Sequence, residues 1–338
     1  MHAAALLLSV LWSVFFLPSA PAPADPQLTV RVVDVGAGEC CVVSLPDGQF
    51  IVYDAGNFQD KGRSAMRAIN EIIPDGSEIA LLVLSHSDAD HLGAVPAICE
   101  QYAVRRVIRG GTGHSATWLA ADAAIAEERE EGCHDINLAS VMLPPGSTFK
   151  YGDVFVTVVC GFDRPPADWD IRGDAEAKNA GSIVVRMEYR GRSVLFCGDS
   201  VGRHNDDPTD TLIAAEKFMV EMSPVVKLQS DAMIAPHHGA DNGSSTAFIR
   251  AVSPSFVVFC AGHKTQFQHP RATTVQRYLN AGVDVRRIFR TDLGDDDGPK
   301  EWDVGRIPGA SDPIGDDDVE ITIANNGEMT VQYTNQQE

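Results

Sequence analysis

From residue 28 onward the chain alternates short apolar runs with amphipathic stretches. LTVRVVDVG (28–36), CVVSLP (41–46) and FIVYDAG (50–56) are rich in β-branched residues and broken by Gly, Pro and Asp, the pattern of an antiparallel meander. In RSAMRAINEII (63–73), Met66, Ile69 and Ile73 recur at helical spacing. Strand IALLVLSH, helix AVPAICEQY (94–102), strand RRVIRGG and helix TWLAADAAIAEEREEG (117–132) follow. The second half repeats the theme with FKYGDVFVTVVCGF and a hairpin, SIVVRMEYRGRSVLFCGDS, turning at Arg190-Gly191. Helix PTDTLIAAEKFMVEM (208–222), strand DAMIAPHHG, helix STAFIRAV, strand SFVVFCAGH and helix RATTVQRYLNAG come next. A last hairpin, VEITIANNGEMTVQY, turns at Asn326-Gly327. Strand groups with helices in both halves predict an α/β protein in which two sheets pack face to face with helices outside. No Pro-rich or Gly/Ser-rich linker interrupts residues 27 to 338, so a single domain is expected there.

The first 24 residues stand apart. AALLLSVLWSVFFLP (4–18) is uncharged and apolar, too short for a comfortable span, and gives way to small residues suited to cleavage near Ala20 to Ala24. It reads as a signal peptide and implies a secreted or periplasmic protein; the alternative is an uncleaved membrane anchor. No stable membrane partner is expected beyond that. The formal charge of −20 lies wholly outside this segment. Such a surface repels polyanions, which disfavours long nucleic acid as a partner. Asp295–Asp297 and Asp316–Asp318 read as solvated loops rather than a calcium site, because their spacing does not match an EF-hand. Of seven cysteines, five lie in apolar strand-like runs, leaving Cys99 and Cys133 as the disulfide candidates.

The candidate chemistry begins where LLVLSHSDADHLGA (81–94) leaves its apolar run. Loops at the carboxyl ends of buried strands are where sites gather in layered α/β folds. His86, Asp88, Asp90 and His91 within six residues offer imidazole and carboxylate ligands to a metal pair, zinc or manganese, and the carboxylates lean toward Mn²⁺. The plainer explanation, that Asp88 or Asp90 caps the helix that follows, accounts for one aspartate and neither histidine.

HSDADH resembles the HxHxDH signature of metallo-β-lactamase fold hydrolases, with Asp88 where a histidine usually stands. Residues 32–56, NAGSIVVRMEYRGRSVLFCGDS (179–200), IAPHHGADNGSS (234–245) and GHKTQFQHP (262–270) follow in the order seen in the C-terminal hydrolase domain of ComEC competence proteins and its free-standing relatives. The resemblance covers nearly all of residues 28–335 and implies an αββα sandwich of two mixed sheets. It implies two divalent ions (Zn or Mn): one held by His86 and Asp88, the other by Asp90 and His91, with Asp199 bridging. His238 is expected to complete the second site, and His237 to face a substrate phosphate. His269 is expected to line the site, and Lys264, Asn179 and Ser182 to bind substrate. The stretch NAGS lacks the separate histidine that many relatives carry for the first ion, which leaves that ion poorly ligated, with Asn179 or Ser182 nearby.

The functional expectation is an exported binuclear phosphodiesterase whose attacking group is a metal-bridging hydroxide. Asp90 contributes to both ion and rate, and His237 or His269 protonates the leaving oxygen. Its substrate is expected to be a small phosphoester or a short oligonucleotide. Two alternatives stay open: a lactone or β-lactam hydrolase, and a non-catalytic exported binding module on the same fold.

Overall fold

The computed structural model describes residues 26–110 and 113–335; the leader read from residues 1–24 lies outside them. The chain first lays down β1 (Leu28–Val32), β2 (Cys40–Ser44) and β3 (Phe50–Ala55) as the antiparallel meander. After α1 (Arg63–Ile72), β4 (Glu78–Leu84) joins β3 in parallel. Next come the single turn α2 (Ala89–Leu92), α3 (Val95–Gln101), β5 (Ala103–Val104), β6 (Arg106–Arg109), α4 (Ala116–Glu130) and β7 (His134–Asn137). The second sheet starts with the antiparallel strands β8 (Thr148–Tyr151), β9 (Val154–Cys160), β10 (Val184–Tyr189) and β11 (Arg192–Phe196), with α5 (Asp174–Ala180) between β9 and β10. It ends in parallel strands β12 (Ala232–Ile234), β13 (Phe256–Phe259) and β14 (Ile288–Arg290), separated by α6 (Ala214–Met222), α7 (Thr246–Val252) and α8 (Ala272–Asn280). The hairpin β15 (Val319–Ile323) and β16 (Met329–Tyr333) then returns to the first sheet beside β1.

Burial explains the four layers. β1 and β15 bury alternate residues, so one face of each meets the core and the other meets solvent. β4 is buried from Ile79 to Leu84, because a sheet lies on one side and helices on the other. One apolar cluster joins Val30, Tyr53 and Val83 of the first sheet to Val156, Val185 and Phe196 of the second. A second seals α1, α3 and α4 onto the outer face of the first sheet through Ile69, Ile98 and Ile125. A third does the same for α6, α7 and α8 through Met219, Phe248 and Tyr278. This is the αββα sandwich, with both sheets mixed. Among the described residues no helix is long and apolar enough to cross a membrane.

Three local expectations need correction. The helix expected from Pro208 begins only at Ala214: Pro208–Thr211 forms a turn, and the Ile213 N–H donates to the Gly202 carbonyl at 2.9 Å. The Thr-Asp-Thr run is a weak helix former, so tertiary pairing prevails. Cys99 and Cys133 are free thiols packed against the helix-covered core. The acidic tracts, read as solvated, are partly interior: Asp295 and Asp297 are buried, with Asp34 and Asp292 nearby in the same condition. Backbone N–H groups and one arginine fill their acceptor sites. Asp292 takes both arms of buried Arg290 (2.6 and 2.7 Å), Asp297 accepts from Lys264 N–H at 2.8 Å, and Asp318 accepts from Asp34 N–H at 2.8 Å.

Crowding of carboxyls in a shielded place raises their pKa. Burial pushes Asp34 to about 7 and Asp292, Asp295 and Asp297 to about 6; burial, then Asp316 and Asp34, push Asp317 to about 7. For such a group ionisation opposes folding. Its contribution to stability is full below the unfolded value near ~3.9 and is lost as the pH rises through about 7. Asp317→Asn, which removes that ionisation, is therefore expected to raise the thermal midpoint most at pH 8, by less at pH 5, and not at all at pH 3. Equal shifts at all three pH values in calorimetry would contradict this.

Candidate metal centre

The parallel strands of both sheets point their carboxyl ends to one side. Asp54 closes β3, Ser85 and His86 follow β4, Asp199 follows β11, and His237 and His238 follow β12. The two ends are tied across the sandwich: Tyr53 O–H donates to the Ile183 carbonyl at 2.8 Å, and Ile183 N–H donates to the Ser85 carbonyl at 2.8 Å. The HSDADH loop turns tightly into α2, with Asp88 at the N-cap position but making no capping bond through its side chain. Its backbone passes so close to Gly38 and Gly56 that a Cβ on either would lie within 2.8 Å of an Asp90 main-chain atom. Those two glycines are what let the loop sit against the sheet edge.

At IAPHHG the strand does bend. β12 stops at Ile234, and His237 and His238 both take left-handed backbone (φ 50° and 55°) ahead of Gly239 at φ 84°. Such conformations are costly for residues with a Cβ and concentrate at functional sites. The turn is held by His237 N–H donating to the Gly198 carbonyl at 2.9 Å and by Ala240 N–H donating to His237 at 2.7 Å. Both imidazoles can therefore face Asp199, which an extended pair could not do.

Asp199 is the centre of the cluster. Its Oδ1 lies 3.3 Å from His91 Nε2 and 3.4 Å from His238 Nε2; its Oδ2 lies 3.7 Å from His86 Nε2 and 3.5 Å from His237 Nε2. Asp90 Oδ2 is 3.6 Å from His238 Nε2, and Asp88 Oδ2 is 3.7 Å from His86 Nε2. Each histidine is oriented from behind through Nδ1. His91 Nδ1 donates to Asp54 Oδ2 (2.8 Å), His238 Nδ1 to the Cys260 carbonyl (2.8 Å), and His237 Nδ1 meets Asn242 Oδ1 (2.7 Å). Ser85 O–H donates to Asp54 at 2.6 Å, which leaves its lone pair for His86 Nδ1 at 3.0 Å. Every Nε2 is thereby turned inward, the arrangement that outer partners impose on metal-ligating histidines.

The inward atoms lack protein partners. His86, His91 and His238 Nε2, with Asp90 Oδ1 and Asp199 Oδ1, are buried and make no hydrogen bond. Buried polar atoms are rarely left so, and this set of imidazole nitrogens and carboxylate oxygens fits a divalent cation. The field agrees. Although burial opposes ionisation, the imidazoles of His237, His238 and His91 hold the Asp199 carboxyl well below its usual range. Burial lowers the His238 pKa, but Asp199 and Asp90 outweigh it and raise it to about 9. The cluster draws positive charge inward.

The expected residues fall into three groups. His86, Asp88, Asp90, His91, Asp199 and His238 converge as described, with His237 beside them. Asn179, His269 and Lys264 line a cavity of about 980 Å³ whose floor is this cluster and whose rim includes Phe58, Phe267, Arg271 and Lys300. Asn179 Nδ2 is 3.2 Å from His237 Nε2. Burial, then the nearby His237 and His238, push the imidazolium form of His269 far down, so it presents a neutral ring. Ser182 is different: it is fully buried, and its hydroxyl accepts from Asp199 N–H at 3.1 Å, so it positions Asp199 and does not contact substrate. Sequence reasoning missed Asp54, Ser85, Glu39, Asn242 and Lys178. Asp54 had a signal, a carboxylate ending an apolar run one strand away from His86. Glu39, buried with one orphaned oxygen and raised to about 8 by burial and Asp54, had none.

The chain is 22% identical over 279 residues to ComE operon protein 3 of Bacillus subtilis (strain 168), covering 78% of this chain and 32% of that protein. It is 32% identical over 128 residues to Competence protein ComA of Neisseria gonorrhoeae, covering 38% of this chain and 16% of that protein. It thus spans a third or less of the length of these relatives. Among solved structures, a CmlA beta-hydroxylase mutant aligns with a TM-score of 0.47 at 15% identity, over 79% of this chain and 53% of its own. Residues 33–263 match the family described as the Metallo-beta-lactamase superfamily, and the chain belongs to that superfamily.

Proposed function

We propose that this superfamily member is an exported, divalent-metal-dependent phosphodiesterase acting on small phosphoesters or short oligonucleotides. One observation supports this reading above the others: orphaned ligand atoms converge on Asp199 at the floor of a cavity whose rim carries three cationic side chains. In a chain of net charge −20, Lys264, Arg271 and Lys300 stand around one opening, beside Asp206 and Asp241, and offer cationic contacts to an anionic substrate. A volume of about 980 Å³ is at the upper end for small-ligand sites, room for a nucleotide-sized group. Phe58 and Phe267, with ring centres 6.1 Å apart, give it an apolar wall, and Lys264 Nζ stands 5.0 Å from the Phe58 ring centre. Export rests on the apolar leader of residues 4–18.

Bound divalent ions supply Lewis acidity and a hydrolytic water that ionises near neutral pH. Asp90, His91, Asp199 and His238, with His86 and Asp88 opposite, are the residues to hold them. The protein's remaining task is orientation and proton handling. Asp54 and Ser85 fix the tautomers of His91 and His86; Ser182 fixes the Asp199 backbone. His269, neutral and stacked on Phe267 with ring centres 5.5 Å apart, offers one N–H to a phosphoryl oxygen. His237, with Asn242 setting its ring, would hand a proton to the leaving oxygen in its imidazolium form, once Nε2 gives up the Asn179 amide donor that it meets at 3.2 Å.

Three outcomes are expected. Hydrolysis of bis(p-nitrophenyl) phosphate should require added Mn²⁺ or Zn²⁺ and should fall by more than about a hundredfold in Asp90→Ala, beyond the usual outer-partner effect. If a lactone or β-lactam is turned over instead under the same conditions, the phosphodiester assignment is wrong. Asp54→Asn should weaken metal affinity about 10–100-fold in titrations of the apoprotein, with the circular dichroism spectrum retained. His269→Ala should lower kcat by about 10²-fold while metal content measured by mass spectrometry stays that of the parent.

A further inference from the structure

The two faces of Asp199 are unlike. On the Oδ1 side, His91 Nε2, His238 Nε2 and Asp90 Oδ1 are all buried without a hydrogen-bond partner. On the Oδ2 side only His86 Nε2 is in that state. There Asp88 Oδ1 is ion-paired with the Lys178 ammonium, and His237 Nε2 meets Asn179 Nδ2 at 3.2 Å. Lys178 and Asn179 are neighbours at the end of α5, in the stretch that carries no histidine for this side of the site.

We infer that Lys178 takes the place of a divalent ion on the His86–Asp88 side, so that the chain tightly holds one ion, among Asp90, His91, Asp199 and His238. A carboxylate already matched by an ammonium has lost most of its attraction for a further cation. A second ion entering beside it meets like charge at near contact in a partly desolvated place, where Coulomb terms are large. The lysine is a fitting stand-in: a compact, strongly hydrated point charge on a flexible stem, with a third of its side chain (34%) still exposed at the site's edge. The ligand supply agrees, since the Oδ1 side has four protein groups free to coordinate, and the Oδ2 side has two imidazoles, one met by Asn179, and two carboxylates, one paired with Lys178. This departs from the two-ion expectation drawn from sequence and narrows the ligand set proposed above, leaving His86 and Asp88 without a tightly held ion. It rests on the metal-centre reading proposed above and is independent of the phosphodiester substrate.

The test counts metal. Full-length protein is loaded with excess Mn²⁺, gel-filtered, and examined by mass spectrometry and electron paramagnetic resonance. The parent is expected to retain one Mn²⁺ per chain with the spectrum of an isolated ion. Lys178→Met is expected to retain two, with an exchange-coupled spectrum, and Lys178→Arg to stay at one. Asp88→Asn should also keep one, because Asp88 is not a ligand of the tight side. Two ions in the parent, one ion in Lys178→Met, or loss of the ion in Asp88→Asn would each overturn the inference. A parent that retains no metal overturns the metal-centre reading with it. A one-ion protein inert toward phosphodiesters would sink the substrate assignment alone.

Discussion

The buried Asp54 carboxylate holds the site together. It is fully enclosed and sits in left-handed backbone at φ 52° at the end of β3. Burying a charge is costly unless its acceptor sites are filled. Here Ser85 N–H (2.7 Å), Ser85 O–H (2.6 Å) and His91 Nδ1 (2.8 Å) fill them. Breaking a buried pair of this kind costs about 3–5 kcal/mol. Most of the site's geometry follows from the contact: it fixes the end of β4 against β3, the tautomer of His91, and through Ser85 the tautomer of His86. The same serine's carbonyl takes Ile183 N–H, and the neighbouring Ser182 hydroxyl takes Asp199 N–H. One carboxylate of the first sheet is thus linked through Ser85, Ile183 and Ser182 to the central carboxylate of the second.

That path explains why the site lies where two separate sheets end. Neither sheet alone brings enough ligands together: the first supplies His86, Asp88, Asp90 and His91, and the second Asp199, His237 and His238. The apolar interior between the sheets supplies the force that closes them, since Val30, Tyr53, Phe196 and Ile234 lose all contact with water there. Hydrogen bonds at the rim then set the register of that closure, which burial alone does not specify. A packed core resists small displacements, so ligand positions separated by more than a hundred residues of sequence hold to one another closely.

How much of this could be read in the sequence depended on whether a residue's role left a local trace. Apolar runs that end in HSDADH, LFCGDS and IAPHHG announce strand ends bearing chemistry, and the periodicity of residues 63–73 and 117–132 announces helices. α5 gives no such trace: DAEAKNA has only alanines to bury, and its acidic start and basic end mark a helix only weakly. Lys178 was therefore invisible, because its meaning is a contact with Asp88 across 90 positions. Ser182 was read as facing substrate because its neighbours do, yet a hydroxyl can as readily be an inward acceptor, and burial decided it. Asp295 and Asp297 looked solvated because charge usually is; the Asp312 and Lys264 N–H groups that they accept from lie 17 and 33 positions away.

The charge distribution joins these observations. Acidic groups dominate the chain, yet the acids at the C-terminal segment and those at the metal centre behave oppositely. In the C-terminal acidic pocket, burial raises the carboxyl pKa of Asp34 and Asp317 to about 7 and those of Asp292, Asp295 and Asp297 to about 6, so part of the nominal charge is lost at and below neutral pH. At Asp199 the surrounding imidazoles do the reverse and keep the carboxylate ionised although it is equally enclosed. The difference is the balance each carboxylate strikes: at Asp292, Asp295 and Asp297 burial outweighs Arg290, His263 and the backbone N–H groups, whereas at Asp199 three imidazoles outweigh burial. The negative charge that matters for function is concentrated where a cation is wanted, and the rim above it, with Lys264, Arg271 and Lys300, is left to meet an anion.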